Sequence, residues 1–170
     1  MELWDILDVT GNKTGRTIVR GQPLKDGEYH LTVHIYIINN ERGFLIQKRS
    51  LKKDLRPGQW DVTGGAVVSG EDSLTGVIRE AYEELGITLK PEKFSYITRL
   101  YRKQCFVDVW AAFAAVSLDN VIMQDGEVDE VRFVKAEDVI NIILDSGYRD
   151  DEYKEVMTNY IKTLELVRSV

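Results

Sequence analysis

The sequence predicts an α/β protein in which a mixed β-sheet is sandwiched between α-helices and preceded by an N-terminal β-hairpin. Strand-like runs of β-branched and aromatic residues alternate with stretches of helical spacing along one short chain. The 170 residues amount to about one domain, with 44% hydrophobic and 29% charged residues, as in ordinary globular proteins. The chain shows no internal repeat, so we expect a single domain over residues 1–170.

Charge and composition narrow the expected partners. The 22 basic and 28 acidic residues give a formal net charge of −6 and a pI of about 5.0. An acidic domain binds nucleic acid and anionic membranes poorly, so we expect neither as a partner. No apolar run reaches the roughly 18 residues of a spanning helix, and Met1–Asp5 lacks the features of a signal peptide. The single cysteine, Cys105, is typical of the reducing cytosol and predicts a cytoplasmic protein.

The first half of the chain predicts β-structure followed by one helix. Residues 3–20 form two runs around a Gly11-Asn12 turn, as in a hairpin. Apolar spacing predicts a helix over residues 72–85, with Gly86 where a C-terminal glycine belongs. The other elements predicted here are strands at His30–Asn39, Phe44–Arg49 and Trp60–Thr63, with a basic loop at Ser50–Gly58.

The second half predicts three more strands and two helices. The strands are predicted at Phe94–Tyr101, Cys105–Val116 and Val131–Val134, and the helices at Ala136–Leu144 and about 150–168. The last helix carries an apolar face. We expect that face to dock on its own domain, and docking on a second subunit of a homodimer is the alternative.

Three glutamates give the first chemical signal. Glu80, Glu83 and Glu84 are spaced so that their side chains share one helix face near its C-terminal end. Stacked like charges destabilise a helix by a few tenths of a kcal/mol per pair, and the macrodipole disfavours anions at this end. A hard cation bound between the carboxylates would make their clustering stabilising instead of destabilising. Mg²⁺ suits a site of carboxylates and substrate phosphates. A solvated acidic face is the alternative for any one glutamate alone.

Neighbouring residues fit the same hypothesis. Arg79 can reach Glu83 at i+4 and orient its carboxylate. Gly65 has no side chain, so its carbonyl could approach a metal or a phosphate closely. Glu71 precedes the helix, where an acid can bond the free N–H groups of the first turn.

The stretch Gly65–Ile87 reads GAVVSGEDSLTGVIREAYEELGI. Its spacing of glycines, glutamates and arginine resembles the Nudix box, and every fixed position is filled. The resemblance implies a Nudix fold over most of the chain. It also implies a loop–helix–loop that binds Mg²⁺, or alternatively Mn²⁺, in an enzyme that hydrolyses a small diphosphate compound.

The resemblance assigns roles residue by residue. It implies that Glu80, Glu83 and Glu84 are metal ligands together with the Gly65 carbonyl, and that Arg79 orients them. Glu71 would be a helix-stabilising residue of the box. The implied reaction is attack of a metal-activated water on one phosphorus of the diphosphate, with the number of metals left open.

A general base outside the box is common in this family. An acidic stretch, Gln124–Glu130, precedes a predicted strand and resembles the family's arrangement of an acid before a strand. Glu127 is our first candidate for the base and Glu130 the second. A solvated acidic turn is the alternative for either one.

Candidate substrate contacts lie upstream of the box. Arg49 and Arg56 belong to the basic loop and its flank and are candidates for binding phosphates, whereas Lys52 and Lys53 are expected to be solvated. Trp60 is a candidate for stacking on a base, with a plain core role as the alternative. The two histidines, His30 and His34, share one strand face, and we expect core or pocket-wall roles rather than a two-histidine metal site.

The flank His30–Asp61 also resembles type I isopentenyl-diphosphate isomerase, through its histidine-led strand, Arg49-Ser50 and Pro57-Gly58-Gln59-Trp60. That isomerase needs a cysteine and a metal-binding histidine after the tryptophan, and Thr63–Val67 contains neither. We therefore expect a Mg²⁺-dependent hydrolase of a small nucleoside-diphosphate-type substrate. An isomerase-like enzyme and a non-catalytic nucleotide-binding sensor are the alternatives.

Overall fold

The computed structural model describes residues 1–147 and 149–168, with side chains up to residue 164. The strands are β1 Leu3–Leu7, β2 Lys13–Val19, β3 His30–Asn39, β4 Gly43–Arg49, β5 Trp60–Asp61, β6 Thr63–Ala66, β7 Phe94–Arg102, β8 Cys105–Phe113 and β9 Val128–Val134. The helices are α1 Ser73–Leu85, α2 Ala136–Val139 and α3 Asp151–Arg168. Short 3₁₀ turns lie at Pro91–Lys93 and Leu118–Asn120, and a π turn at Ile140–Leu144 continues α2.

In the described part of the chain, seven strands form one mixed sheet, and β1 and β2 form a separate hairpin sheet. Strand β3 runs parallel to β8 along one edge. Its other edge is shared, because Thr32–Ile35 pairs with β6 and Ile37–Asn39 pairs with β4. The sheet splits at this edge, and α1 follows directly from β6.

Alternating side chains of β3 belong to two hydrophobic cores, because successive side chains of a strand point to opposite faces of the sheet. Val33, Ile35 and Ile37 pack with α1 on one face. Tyr36 and Ile38 pack on the other face with the helices α2 and α3. The predicted sheet between helices is therefore confirmed.

Helix α3 lies on the second face of the sheet. Tyr153, Met157 and Ile161 recur every four residues and are fully buried in the same core as β3. The apolar face of this helix thus docks on its own sheet. No helix in the described ranges is long and apolar enough to cross a membrane.

The predicted strand at Trp60–Thr63 is divided between two partners. Trp60 and Asp61 pair with β4, whereas Thr63–Ala66 pairs with β3 through both glycines. The sequence from Trp60 to Thr63 has the pattern of one continuous strand. The division between β5 and β6 depends on which neighbouring strand each part pairs with.

Other boundaries also differ from the predictions. Strand β9 begins at Val128, earlier than expected, because its acidic residues complete the ladder with β4. Strand β8 ends at Phe113, earlier than expected. The helix expected at Ala136–Leu144 is α-helical only as far as Val139 and then continues as a π turn.

Candidate active site

Helix α1 is fixed at both ends by residues suited to those positions. The Asp72 side chain accepts a hydrogen bond from the Thr75 N–H at 2.7 Å and caps the first turn. Gly86 ends the helix with a φ of 66°, a left-handed conformation that glycine adopts without strain. The helix predicted over residues 72–85 is confirmed, and its polar face carries the three glutamates.

The Arg79 side chain lies at the centre of three carboxylates. Its Nη1 donates to Glu80 Oε1 at 2.8 Å and to Glu83 Oε2 at 2.7 Å, so the expected i, i+4 contact is present. Its Nε and Nη2 donate to the two Glu71 oxygens at 2.9 and 3.2 Å, and Nη2 also donates to the Ala66 carbonyl. Burial alone would lower the pKa of Arg79, but the surrounding carboxylates raise it. The charged guanidinium therefore holds the three acids together.

Glu71 does not bond the first turn of the helix, contrary to the expectation from its position. Asp72 takes that role, and the Glu71 carboxylate turns back to accept from the Val68 N–H at 3.2 Å and from Arg79. A bidentate contact with Nε and Nη2 of a charged guanidinium is stronger than a single hydrogen bond to a backbone N–H. One side chain thus ties the loop before α1 to the guanidinium.

Glu84 is buried and held by groups that the sequence analysis missed. Its Oε2 accepts from Gln47 Nε2 at 2.9 Å and from the Gly64 N–H at 3.1 Å, and Thr63 Oγ1 donates to Gln47 Oε1 at 3.1 Å. Burial is the main cause that raises the pKa of Glu84 to about 8, and the charges of Glu80 and Glu127 contribute to that rise. The missed signal was a polar glutamine within the apolar strand β4.

Gly65 and Glu80 approach each other closely. A Cβ atom on residue 65 would lie 2.5 Å from Glu80 Oε1, so a larger residue there would displace the carboxylate. Burial is the main cause that raises the pKa of Glu80, and the charge of Glu83 adds to it. The strand end and the helix thus form a cradle for one carboxylate.

The donor set fits a hard divalent cation, although the side chains point to other partners. Within the described ranges, no three histidine, cysteine, aspartate or glutamate side chains converge on one metal position. Arg79 engages Glu80 and Glu83, and the Glu84 Oε2 atom accepts two N–H groups. Buried carboxylates whose pKa values are raised by desolvation and by one another gain from a cation, and carboxylate oxygens are the ligands that Mg²⁺ takes.

The two candidate bases lie in different surroundings, Glu127 in the loop before β9 and Glu130 within that strand. The loop before β9 docks on α1, because the Gln124 N–H donates to the Glu84 carbonyl at 3.0 Å. Glu127 follows in this loop, and its carboxylate contacts Lys53. Glu130 instead pairs in register with Lys48, on the face opposite Gln47. The geometry brings Glu127, not Glu130, to the side of the glutamates.

Known proteins resemble this chain in sequence and in fold. A family model described as the NUDIX domain matches residues 28–157. The chain belongs to the Nudix hydrolase family. It is therefore an enzyme of the class that hydrolyses pyrophosphate bonds.

Relatives and solved structures agree with that assignment. The chain is 38% identical over 144 residues to an uncharacterized Nudix hydrolase of Listeria monocytogenes, covering 82% of this chain and 83% of the relative. It is 32% identical to Nudix hydrolase 3 of Arabidopsis thaliana, covering 98% of this chain and 23% of that protein. A crystal structure of a Deinococcus radiodurans protein matches with a TM-score of 0.71 at 21% identity, covering 91% and 97% of the two chains. The predicted Nudix fold is confirmed.

The candidate substrate residues of this Nudix hydrolase have different contacts. Arg49 donates through Nε to the Leu55 carbonyl at 3.0 Å, and its charge has no carboxylate partner among the described residues. Arg56 donates to Asp61 Oδ2 at 2.8 Å. The Trp60 ring lies under the Arg132 guanidinium at 4.1 Å. Of the two arginines, Arg49 is the one whose charge no described carboxylate neutralises.

The two lysines of the basic loop differ from each other. Lys52 is exposed and pairs with Asp125 at 2.8 Å, as a solvated surface residue does. Lys53 was expected to be solvated as well, but only 19% of its side chain is exposed, and it contacts Glu127. That expectation is wrong for Lys53, because the loop folds back onto the segment that carries the candidate base.

Both histidines have structural partners away from the Nudix box. The His30 ring stacks on Trp4 with ring centroids 4.3 Å apart. His34 Nδ1 lies 3.0 Å from the Tyr153 hydroxyl and 3.2 Å from Arg149 Nη1. Their surroundings are those of the core roles expected from the sequence.

Proposed function

We propose that this Nudix hydrolase is a Mg²⁺-dependent pyrophosphohydrolase that cleaves the diphosphate linkage of a small nucleoside-diphosphate-type substrate. The observation that carries the proposal is the buried carboxylate group around α1. Glu80 and Glu84 are both buried, and Glu83 is tied to the same arginine as Glu80. Arg79 offsets the charges of Glu80 and Glu83. Among the described residues, Glu84 is held only by the neutral Gln47 amide and the Gly64 N–H, and burying such a carboxylate costs free energy unless a cation compensates its charge.

The cation would be held by Glu80, Glu83, Glu84 and the Gly65 carbonyl, with Mn²⁺ as an alternative to Mg²⁺. When bound, it supplies positive charge to the phosphate oxygens and lowers the pKa of a water molecule. The Glu84 Oε2 atom is occupied by Gln47 and Gly64, which leaves Oε1 as the oxygen for ligation.

The chain's own residues account for the remaining needs of the reaction. Arg79 orients Glu80 and Glu83, and we assign Glu127 as the base that takes the proton from the attacking water. The water oxygen forms a bond to one phosphorus, the bridging P–O bond breaks, and the leaving phosphate takes that electron pair. Arg49 is our candidate for binding a substrate phosphate, since no described carboxylate neutralises it.

The test is a hydrolysis screen with Mg²⁺ over nucleoside di- and triphosphates, nucleotide sugars, ADP-ribose, dinucleotides and isopentenyl diphosphate. Wild type would run beside Glu84→Gln, a near-isosteric change that removes one ligand charge. Glu155→Gln on the exposed side of α3 is the matched control. We expect turnover of at least one nucleotide, an at least about 100-fold loss in Glu84→Gln, and no change in Glu155→Gln.

Other outcomes of the screen would contradict the proposal. Conversion of isopentenyl diphosphate to its isomer would favour the isomerase. The surroundings of Cys105 argue against an isomerase that uses this thiol. Burial raises the pKa of the thiol to about 11, and its Sγ lies 3.2 Å from Thr32 Oγ1 within the sheet. Metal-dependent nucleotide binding without turnover would favour a sensor.

A further inference from the structure

The N-terminal hairpin touches the loop that leads into α1. The Asp5 carboxylate accepts from Ser69 Oγ at 2.7 Å through Oδ1 and from the Gly70 N–H at 3.0 Å through Oδ2. The Leu3 carbonyl accepts from the Ser69 N–H at 2.8 Å. Two successive backbone N–H groups of this loop are therefore bonded to strand β1.

The second strand of the hairpin completes the contact. Lys13 Nζ lies 2.8 Å from Asp5 Oδ2 and donates to the Glu71 carbonyl at 2.7 Å. The Asp5 side chain is 19% exposed. Burial alone would raise its pKa, but Lys13, Gly70 and Ser69 lower it, so the carboxylate is ionised when it holds the loop.

The hairpin is itself anchored to the main sheet, so it can hold the loop in place. Trp4 stacks on His30 at the start of β3. Leu7 exchanges two backbone hydrogen bonds with Tyr29, at 2.8 and 3.0 Å, and packs with Tyr29 and Phe106. The family model begins at residue 28, so this hairpin lies outside the segment that it matches.

We propose that the hairpin is a positioning element of the metal site, in which Asp5 and Lys13 fix residues 69–71. Glu71 bonds Arg79, and Arg79 bonds Glu80 and Glu83, so the position of the loop sets the position of two of the three glutamates. The inference rests on the proposed function, because it concerns the same cation.

Asp5→Ala and Lys13→Met test the inference, with Arg16→Ala as the matched control. Arg16 forms an ion pair of the same hairpin, to Glu28 at 2.6 Å, that does not touch residues 69–71. Asp5→Asn keeps one acceptor oxygen and serves as the conservative variant. Mn²⁺ alone is the probe, titrated by its electron paramagnetic resonance signal, and amide hydrogen exchange reports on the loop.

We expect Mn²⁺ to bind about tenfold more weakly in Asp5→Ala and Lys13→Met, because residues that hold metal ligands in position typically affect metal affinity by that amount or more. The Ser69 and Gly70 amides should exchange about 2- to 10-fold faster in Asp5→Ala. Asp5→Asn should recover part of both losses, and Arg16→Ala should show neither.

Two outcomes would overturn the inference, and a third concerns the proposed function alone. Unchanged Mn²⁺ affinity in Asp5→Ala would show that the hairpin does not position the ligands. Equal losses in Asp5→Ala and Arg16→Ala would show a general effect of hairpin stability. Wild-type protein that binds no Mn²⁺ would instead contradict the metal site itself.

Discussion

At the scale of single residues, one buried glutamine fixes the orientation of the Glu84 carboxylate. Gln47 lies on β4, accepts from Thr63 Oγ1 and donates to Glu84 Oε2. A glutamine amide can do both at once, which an ionised carboxylate or an apolar residue of similar size cannot. The strand thereby fixes one oxygen of the carboxylate, and the other oxygen is the one assigned to the proposed cation.

Gln47→Leu removes that donor and leaves the buried Thr63 hydroxyl without its acceptor. We expect the Mg²⁺ concentration for half-maximal activity to rise about tenfold. We also expect the free energy of unfolding to fall by about 1–3 kcal/mol, measured by urea denaturation. Thr63→Val is the control, because it keeps the donor to Glu84. An unchanged Mg²⁺ requirement in Gln47→Leu would contradict the role of Gln47.

The residues of the box were predictable from the sequence, whereas their supports were not. Helical spacing alone places Glu80, Glu83 and Glu84 on one face, because that relation is local. Gln47 and Asp5 reach the site only through strand pairing and hairpin docking, which join positions far apart in the chain. A short-range pattern marks Gln47 as a polar residue in an apolar strand, but it does not specify which residue Gln47 contacts.

At the scale of elements, the end of α1 also positions the segment that carries Glu127. The Ile122 N–H donates to the Leu85 carbonyl at 2.9 Å. The Ile122 side chain lies against Gly86. A Cβ atom added to residue 86 would lie 2.8 Å from the Ile122 Cβ. The glycine therefore ends the helix and also makes room for the next segment.

Gly86→Ala separates these two effects when it is compared with Gly21→Ala. Gly21 also has a left-handed φ, 87°, but a Cβ there meets no atom within 4 Å. We expect about 1–2 kcal/mol loss of stability from the backbone in both variants. Gly86→Ala should lose more stability and should also lose activity, because Ile122 must move. Equal stability and activity in the two variants would show that Ile122 adapts freely.

The bounds of strands and helices were predicted well where the local sequence pattern determines them. They were predicted less well where pairing with another strand determines them. The apolar run His30–Asn39 is strand β3 with the same bounds, and the helix before Gly86 is correct to one residue. The division into β5 and β6 and the early start of β9 depend on which edge each strand meets. Propensity does not specify that choice.

At the scale of the whole molecule, a buried polar cluster joins the sheet to α3. His34 on β3 contacts the Tyr153 hydroxyl of α3 and Arg149. Arg149 also donates to Asp61 of β5, and its guanidinium lies 4.5 Å from the centre of the Tyr153 ring. Burial and the neighbouring Arg149 charge hold the pKa of His34 well below its ordinary value.

That depressed pKa makes the stability of the whole fold depend on pH. In the unfolded chain His34 takes a proton below about pH 6.5, whereas in the folded protein it resists protonation. The unfolded state therefore binds more protons as the pH falls through this range, and stability present above about pH 6.5 is lost on acidification. One such group contributes a slope of at most about 1.4 kcal/mol per pH unit.

His34→Asn removes this titration while keeping a polar group near the Nδ1 position. We expect the free energy of unfolding, measured with urea between about pH 5 and 7, to fall less steeply with acid than in wild type. The difference between the two slopes should approach one proton at its maximum. Subtracting the two curves cancels the carboxylates and His30, which both proteins share. Parallel curves would show that His34 becomes protonated in the folded state, and that the Arg149 charge next to it does not exclude a second positive charge.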